Sequence, residues 1–259
     1  MRVRDWTTDG AQILRTAVGA SDKHYTTALI AAAGCSTRMG SKTSKQLLEI
    51  DGVPVLARTL LAYEAAATVR DIVLIARRED FDTFIALAKQ YGITKLKRIT
   101  KGGATRQDSV RRGLGVVNEK TKFVAIADGA RCLITPDQID RVNVTAYRTD
   151  AASAATPATD TVKIADRKGR IEDTPDRTTV WLAQTPQTFA LPLYRAAAYH
   201  AKETGYVATD DNSLVEHIGR KVTLVDCGNE NIKITTPADL YIARAILARR
   251  ADAAKEGEK

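Results

Sequence analysis

The chain has few cysteines, few aromatic residues and no long apolar run, and each shortage argues against a class of protein. Its three cysteines are too scattered for a disulfide framework or a metal site, which favours a reducing cytoplasm. Aromatic residues make up 5% of the chain, and no RNA-binding or zinc-finger signature accompanies them. No apolar run is long enough to span a bilayer. We therefore expect a cytoplasmic protein without nucleic-acid or membrane partners.

Acidic residues are also in short supply relative to basic ones. The chain has 39 lysines and arginines against 31 aspartates and glutamates, which gives a formal net charge of +8. Such an excess favours anionic partners. Part of the excess lies in the end segments, where charges can simply be solvated, and small polyanionic substrates explain the rest as well as nucleic acid does. The charge by itself therefore leaves the partner open.

Short apolar runs alternate with amphipathic segments along most of the chain. This alternation predicts an α/β protein with a doubly wound, mainly parallel sheet. The runs expected to form buried strands include 27–33, 71–76 and 123–127. We expect one domain over residues 25–252, preceded by a flexible extension over residues 1–24 and followed by a tail over residues 253–259.

The stretch of about residues 159–182 breaks this alternation. It has a first run that ends at Ile164, a polar turn that ends at Gly169, and a return run that ends at Leu182. Two short runs around a polar turn are typical of a hairpin. The stretch therefore predicts a β-arm that projects from the sheet.

A loop of small residues over 31–40 follows the first predicted strand. A loop at this point places backbone N–H groups at the carboxyl edge of a sheet, where α/β folds bind ligands. Arg38 and Lys45, the latter followed by Gln46, would add positive charge for phosphates. The loop fits neither the Walker pattern nor the G-x-G-x-x-G pattern. By itself it is explained equally well as a glycine-rich turn with incidental cations.

Three further clusters could complete a phosphate site. Residues 101–110 form a second glycine-led loop that runs into a helix. Asp128 directly follows a predicted strand and so lies at the same sheet edge, although Asp-Gly is also common in ordinary turns. Lys233 lies in a predicted apolar strand over 231–235, where a lone lysine usually has an anionic partner. The alternative is an edge-strand lysine that prevents aggregation.

Taken in order, these clusters resemble the 2-C-methyl-D-erythritol 4-phosphate cytidylyltransferases of the non-mevalonate isoprenoid pathway. The resemblance covers about residues 26–250. The matching segments are 32–34, 38–40, 45–46, 102–103, 106–110, 128–131, 160–161, 183–187, 209–211 and 231–237. The resemblance implies a Rossmann-like nucleotidyltransferase fold. It also implies transfer of CMP from CTP to 2-C-methyl-D-erythritol 4-phosphate, which gives 4-diphosphocytidyl-2-C-methyl-D-erythritol and pyrophosphate.

The family pattern implies a role for each matching residue. The expected catalytic residues are Arg38, Lys45 and Lys233. The expected nucleotide-binding residues are Ala32, Ala33, Gly34, Gly103, Ala104, Ser109 and Asp128. The residues expected to bind the sugar-alcohol phosphate are Asp128, Arg131, Thr161, Arg177, Thr185 and Thr209. Mg²⁺ or another divalent cation is expected to be held mainly by the phosphates of CTP, with no assigned protein ligand. The arm is expected to reach the active site of the partner subunit in a homodimer.

Two residues depart from the family pattern. Ala127 stands where the family usually has histidine, and Cys132 stands where it usually has proline. Both flank the expected site loop from Asp128 to Arg131, so they put the shape of that loop in question.

Two other functions compete with the isoprenoid assignment. A ribitol 5-phosphate cytidylyltransferase would share most of these motifs, although residues 106–110 match the methylerythritol family better. A regulatory protein that binds nucleotide without turnover is also compatible with the departures at Ala127 and Cys132. The intact set of cations favours an enzyme.

Overall fold

The computed structural model describes residues 22–34 and 44–257. This part of the chain has eleven strands, β1 (Thr26–Ala31), β2 (Glu49–Ile50), β3 (Val53–Pro54), β4 (Val69–Ala76), β5 (Leu96–Lys101), β6 (Phe123–Asp128), β7 (Ala151–Pro157), β8 (Ile164–Ala165), β9 (Ile171–Asp173), β10 (Trp181–Ala190) and β11 (Thr223–Asp226). Its seven α-helices are α1 (Val55–Ala65), α2 (Phe81–Gln90), α3 (Arg106–Leu114), α4 (Pro136–Thr149), α5 (Leu191–Thr204), α6 (Asp211–His217) and α7 (Pro237–Gly257).

Seven of these strands form the main sheet, in the order β11–β7–β10–β6–β1–β4–β5. Strand β10 is antiparallel to its neighbours β6 and β7, and the other pairs are parallel. In the register of the central strands, Ala31 of β1 lies beside Asp128 of β6 and Ile75 of β4. The carboxyl ends of β1 and β6 therefore meet at one edge, as the sequence predicts.

Helices cover both faces of the sheet because its central strands are apolar on both sides. Ile30 belongs to a buried cluster that includes residues of α1, α2 and α4. Its neighbour Leu29 points to the opposite face and belongs to a cluster with residues of α3, α5 and α6. This alternation is expected for a doubly wound fold, and the predicted fold class is confirmed.

Helix α4 begins where its sequence signals place it. Thr135 caps the helix by accepting a hydrogen bond from the N–H of Gln138 (3.2 Å), and the side chain of Gln138 accepts one from the N–H of Thr135 (3.0 Å). Pro136 occupies the first helical position, where its missing N–H costs nothing. The helix covers β7 and β10 and helps to fix the sheet behind the site.

The ends of the described part differ from the expected domain limits. Residues Asp22–His24 form a short 3₁₀ helix, and the ring of His24 stacks on Tyr147 at 4.4 Å between centroids. Packing therefore begins before Tyr25, whereas residues 1–21 of the expected extension lie outside the described residues. At the other end, α7 continues to Gly257 and includes residues 253–257 of the expected tail. No helix in the described part has the length and apolar character needed to cross a membrane.

Strands β8 and β9 form the tip of the predicted arm. They pair as an antiparallel hairpin, with Ile164 opposite Asp173 and Ala165 opposite Ile171. Their turn contains Gly169, whose φ of +78° favours glycine. Nearly all residues over 159–180 are exposed, so the hairpin contributes little to the core.

Candidate active site

A cavity of about 340 Å³ opens at the carboxyl ends of β1 and β6, beside the start of α3. Eight expected site residues line it, namely Ala33, Gly34, Lys45, Gly103, Ala104, Ser109, Asp128 and Lys233. Five further described residues also line it, namely Ala31, Gln46, Thr105, Arg106 and Ala130. The loops that the sequence analysis singled out therefore meet at one place.

The glycine-led loop before α3 is closed by the side chain of Ser109. Its hydroxyl accepts a hydrogen bond from the N–H of Gly103 (2.9 Å) and donates one to the carbonyl of Thr105 (2.8 Å). A Cβ at Gly103 would lie 2.9 Å from the carbonyl carbon of Asp108, which is too close for any side chain. Ser109 thus shapes the loop, and glycine at 103 lets it fold tightly against the helix.

The first turn of α3 adds a favourable environment for negative charge. Thr105 caps this helix by accepting a hydrogen bond from the N–H of Asp108 (3.0 Å). The first N–H groups of a helix lack partners within the helix and carry the positive end of its dipole. Because Thr105 and Arg106 line the cavity, this positive end lies beside it.

Three cations surround the carboxylate of Asp128. Lys233 Nζ lies 2.9 Å from Oδ2, and the Nε atoms of Arg131 and Arg106 each lie 3.7 Å from a carboxylate oxygen. Burial pushes the pKa of Asp128 upward, but Lys233 and the two arginines outweigh burial and leave the pKa below its ordinary value. Asp128 is therefore ionised at neutral pH and balances part of the positive charge.

The loop that carries Asp128 is anchored on both sides. The N–H of Asp128 donates to Oγ1 of Thr185 (3.0 Å), and the N–H of Gly129 donates to the carbonyl of Ala31 (2.9 Å). Ala127, one of the two departures from the family pattern, is 1% exposed and packs in the core. The loop therefore holds its shape with alanine at 127.

Cys132, the second departure, is also a packing residue. It belongs to an apolar cluster that includes Leu133 and Ile234. Burial raises the pKa of its thiol to about 11, so the thiol is protonated and unreactive at neutral pH. Cysteine at 132 therefore fills space beneath the site loop and adds no chemistry to it.

The two described lysines of the expected catalytic set approach the cavity from distant parts of the chain. Lys45 Nζ donates to the carbonyl of Ile234 (3.1 Å), the residue after Lys233. The predicted strand over 231–235 is wrong, because this segment has no strand pairing. Its backbone bonds to loops instead, as in the hydrogen bond from the N–H of Ile234 to the carbonyl of Ala130 (2.9 Å). Lys233 therefore reaches Asp128 from an extended loop.

Four other expected site residues, all in the described part of the chain, lie outside the cavity lining. Ala32 is buried, and its N–H donates to the carbonyl of Ile75 (2.7 Å). Arg131 and Thr185 contact Asp128 from behind, and the hydroxyl of Thr209 lies 3.2 Å from that of Ser213. Arg131 and Thr185 therefore support the site through Asp128 and do not line the cavity.

The two expected site residues of the arm lie apart from the cavity of their own subunit. Thr161 is exposed, and Arg177 is exposed with its Nη1 donating to the carbonyl of Thr159 (2.8 Å). Neither residue lines the cavity in the described part of the chain. The remaining member of the expected set, Arg38, lies outside the described residues.

The sequence analysis missed Arg106 as an individual site residue, although it quoted the segment that contains it. Arg106 lines the cavity, and its Nη1 lies 2.5 Å from Oδ2 of the buried Asp211. Burial raises the pKa of the Asp211 carboxyl, and Arg106 and Tyr194 oppose that increase. Arg106 stands at the first position of a helix that follows a glycine-rich loop, and this position could have indicated a role in the site. Nothing near Asp211 in sequence indicated its distant partner.

Gln46 was quoted in the sequence analysis but given no role. It lines the cavity, and its side chain is 2% exposed. A Cβ at Gly129 would lie 3.2 Å from Oε1 of Gln46, so glycine at 129 leaves room for this side chain.

Comparisons with known proteins agree with this fold. Residues 26–249 match the family model described as 2-C-methyl-D-erythritol 4-phosphate cytidylyltransferase. The enzyme of that name from Synechococcus sp. (strain CC9902) is 44% identical over 222 residues, which are 86% of this chain and 97% of the relative. Its counterpart from Pelotomaculum thermopropionicum is 42% identical over 224 residues, covering 86% of this chain and 94% of the relative.

Solved structures agree as well. The crystal structure of 4-diphosphocytidyl-2C-methyl-D-erythritol synthase from Anaerococcus prevotii superimposes with a TM-score of 0.78 at 29% identity, covering 88% of this chain and 97% of that one. A second synthase structure of the same description gives a TM-score of 0.71 at 31% identity, over 87% of this chain and 99% of that one. The expected resemblance is confirmed, and the chain belongs to the 2-C-methyl-D-erythritol 4-phosphate cytidylyltransferase family.

Proposed function

We propose that the cavity at the ends of β1 and β6 transfers CMP from CTP to 2-C-methyl-D-erythritol 4-phosphate and releases pyrophosphate. The observation that carries the proposal is the meeting of three cations, Lys45, Lys233 and Arg106, around one cavity beside the start of α3. A polyanionic nucleotide requires such concentrated positive charge. The family to which the chain belongs is named for this reaction.

The nucleotide would occupy the part of the cavity formed by the small residues. Ala33, Gly34 and Ala104 leave the backbone accessible to the base and ribose, and Gly103 keeps the loop close to α3. Lys45 would bind the triphosphate together with Arg38, whose role stays a prediction. Backbone recognition of this kind fits a loop made of alanine and glycine.

The reaction is a displacement at the α-phosphorus of CTP. A phosphate oxygen of the sugar-alcohol phosphate forms the new bond to phosphorus, and the bond to the bridging oxygen of the β-phosphate breaks. The electron pair leaves with pyrophosphate. Since a phosphate monoester is already a nucleophile, catalysis requires positioning and neutralisation of charge rather than a serine or cysteine nucleophile. Lys45 and Lys233 would stabilise the charge that builds up in the transition state.

A divalent cation fits this site through the phosphates of its substrate. Among the described residues that line the cavity, Asp128 is the only carboxylate, and Lys233 already pairs with it. The described part of the chain has no cluster of three side chains able to hold a metal ion. Mg²⁺ commonly binds through substrate phosphates and one or two carboxylates. CTP phosphates would therefore hold Mg²⁺, which would neutralise part of their charge, and Asp128 is the one carboxylate that the described cavity lining offers.

The arm supports a homodimer with shared active sites. Ile164 and Ile171 are 49% and 63% exposed on the hairpin, and exposed apolar side chains on a strand pair favour association. Thr161 and Arg177 would then contact the sugar-alcohol phosphate in the partner's cavity.

We place the reaction in the cytoplasm on the basis of the few cysteines, and this stays a prediction.

Pyrophosphate release from CTP, with two acceptors assayed side by side, tests the proposed function. With Mg²⁺ present, we expect faster turnover with 2-C-methyl-D-erythritol 4-phosphate than with ribitol 5-phosphate. Equal or reversed rates would contradict the isoprenoid assignment. CTP binding without turnover on either acceptor would instead identify a nucleotide-binding protein.

A further inference from the structure

Asp211 is a buried acidic residue that no step of the proposed reaction uses. It is the first residue of α6 and is 1% exposed. Its N–H donates to Oε1 of Gln187 in β10 (2.9 Å), which fixes its backbone from the sheet. Burial of a carboxylate is costly unless charged and hydrogen-bonding partners compensate for it. The residues that contact Asp211 therefore indicate its role.

Both carboxylate oxygens of Asp211 have a partner. The hydroxyl of Tyr194 on α5 donates to Oδ1 (2.5 Å), and Tyr194 is itself 1% exposed. Nη1 of Arg106 lies 2.5 Å from Oδ2. Asp211 is thus held by the sheet and by α5, and it holds Arg106 in turn.

Arg106 connects this buried carboxylate to the cavity. Its side chain is 33% exposed, and its Nε lies 3.7 Å from Oδ1 of Asp128. Arg106 also lines the cavity beside the loop that contains Gly103. One guanidinium therefore spans the distance between the buried Asp211 and the ionised Asp128.

We propose that Asp211 is a positioning residue for cytidylyl transfer, which holds Arg106 against the cavity wall so that Arg106 meets Asp128 and the nucleotide in one fixed arrangement. This inference rests on the proposed function of the cavity. A guanidinium is always charged and carries several donors on a long side chain. Without Asp211, Arg106 would pair more closely with Asp128 and would compete with Lys233 for it. The effect of Asp211 on the reaction therefore passes through Arg106.

A double-mutant cycle tests this dependence. The variants are Asp211→Asn, Arg106→Met and the double variant, each assayed for kcat and KM with CTP and for CTP affinity by calorimetry. We expect Asp211→Asn to lower kcat/KM by about tenfold in the wild-type background, as is typical of coupled charged pairs. In the Arg106→Met background the same change should alter kcat/KM by less than about twofold. A merely structural role would give the same loss in both backgrounds and would overturn the proposal.

The neighbouring Asp210 offers a matched control. Its carboxylate accepts hydrogen bonds from the N–H of Ser213 (2.9 Å) and from Nε2 of Gln187 (2.8 Å). Asparagine also caps helices well, so any effect of Asp210→Asn on kcat/KM should be small and should be the same in the wild-type and Arg106→Met backgrounds. An equal loss from Asp210→Asn and Asp211→Asn would overturn a role specific to Asp211.

Tyr194→Phe keeps the test decisive if Asp211→Asn does not fold. It retains both charges, removes one hydrogen bond to Asp211, and should lower kcat/KM only when Arg106 is present. Unchanged kinetics in this variant together with a normal melting temperature would contradict the proposal. If the wild-type protein binds CTP but does not turn it over, the proposed function fails. In that case the double-mutant cycle is read from the CTP affinities measured by calorimetry. A loss of affinity from Asp211→Asn that disappears in the Arg106→Met background would still show that Asp211 positions Arg106.

Discussion

The cavity and the arm are both built from loops and short elements, but different interactions hold them in place. In the cavity, Ser109 closes one loop and Thr185 anchors the residue that three cations surround, Asp128. In the arm, the hydrogen bonds are local. Asp166 accepts hydrogen bonds from the backbone N–H groups of Lys168 and Arg170, both at 2.9 Å. The cavity is thus fixed by contacts between distant segments, whereas the arm is fixed by its own turn.

This difference indicates that the cavity and the arm have different roles in the reaction. Contacts from several elements hold the charged groups of the cavity in place, and preorganised charge is what phosphoryl transfer requires. The arm places Arg177 in solvent, where its guanidinium donates to the carbonyl of Thr159. We therefore expect changes in the cavity to act within one subunit and changes in the arm to act on the partner.

The largest expected effect comes from the lysines of the cavity. Lys45→Met and Lys233→Met should each lower kcat by about 10²-fold or more, because each removes a preorganised charge at the reacting phosphates. Steady-state pyrophosphate release gives kcat per folded molecule, and thermal unfolding measures the separate loss of stability expected for Lys233→Met, because Asp128 then loses its nearest cation. Lys97→Met on the exposed strand β5 is the matched control and should be near wild type. Early melting with normal turnover per folded molecule would show that these lysines are structural.

A change in the arm should abolish activity, and exchange with a suitable partner subunit should restore part of that activity. Arg177→Ala and Lys45→Met should each be nearly inactive alone, since the first damages the site of the neighbour and the second its own. After subunit exchange of equal amounts, heterodimers carry one intact site, and activity should return to about one quarter of wild type. Activity of the mixture and mass measurements of heterodimers check this result. Demonstrated exchange without recovered activity would mean that the site is not shared.

Two glycines sharpen the comparison, because the regions need glycine for different reasons. At Gly103 a Cβ would lie 3.1 Å from the N atom of Ser109, so Gly103→Ala should displace the loop and raise the KM for CTP by about tenfold. At Gly169 the surrounding space is open but φ is +78°, so Gly169→Ala should cost about 1 kcal/mol in local stability. Initial rates and thermal unfolding of both variants measure this contrast. Similar KM values for CTP in the two variants would contradict the expected difference between Gly103 and Gly169.

The smallest expected effect is a pH dependence of stability that separates the carboxylate of Asp128 in the cavity from a carboxylate of the arm. Because Lys233 and the arginines lower the folded-state pKa of Asp128, its ionised form stabilises the fold above the ordinary aspartate pKa of about 3.9. That stabilisation is lost as the pH falls through the lower folded value. The melting temperatures of wild type and Asp128→Asn should therefore differ at neutral pH and converge in strong acid.

An aspartate of the arm is the control for this pH dependence. Hydrogen bonds from Arg170 lower the pKa of Asp166 too, but its partners all belong to the same hairpin turn at the surface, so Asp166→Asn should change the melting temperature little at any pH. A difference between wild type and Asp128→Asn that does not change with pH would contradict the proposed ionisation of Asp128.

Much of the fold and part of the site could be predicted from local sequence. The apolar runs predicted the central strands, such as β1. The loop around Gly103 was recognisable because glycine and a helix start occur together. The segment around Lys233 was misassigned as a strand, since an apolar run has the same pattern in a strand and in a buried extended loop.

The roles of individual side chains were less predictable than the place of the site. Ser109 was expected to contact the nucleotide, and its hydroxyl also closes the loop on Gly103 and Thr105. Asp211 lies 105 positions from Arg106 in the chain, and no local pattern predicts that pair. Ion pairs of this kind depend on how α3 and α6 pack against the same face of the sheet.

The sequence by itself determined the family, the doubly wound fold and the loops that meet at the cavity, because these depend on periodicity and on the order of motifs. Only the tertiary structure decided which polar groups face one another. It placed Lys233 and two arginines around Asp128, joined Lys45 to the segment after Lys233, and buried Asp211 against Arg106. Electrostatic interactions fall off with distance and depend on burial, and distance and burial are set by packing between segments far apart in the chain.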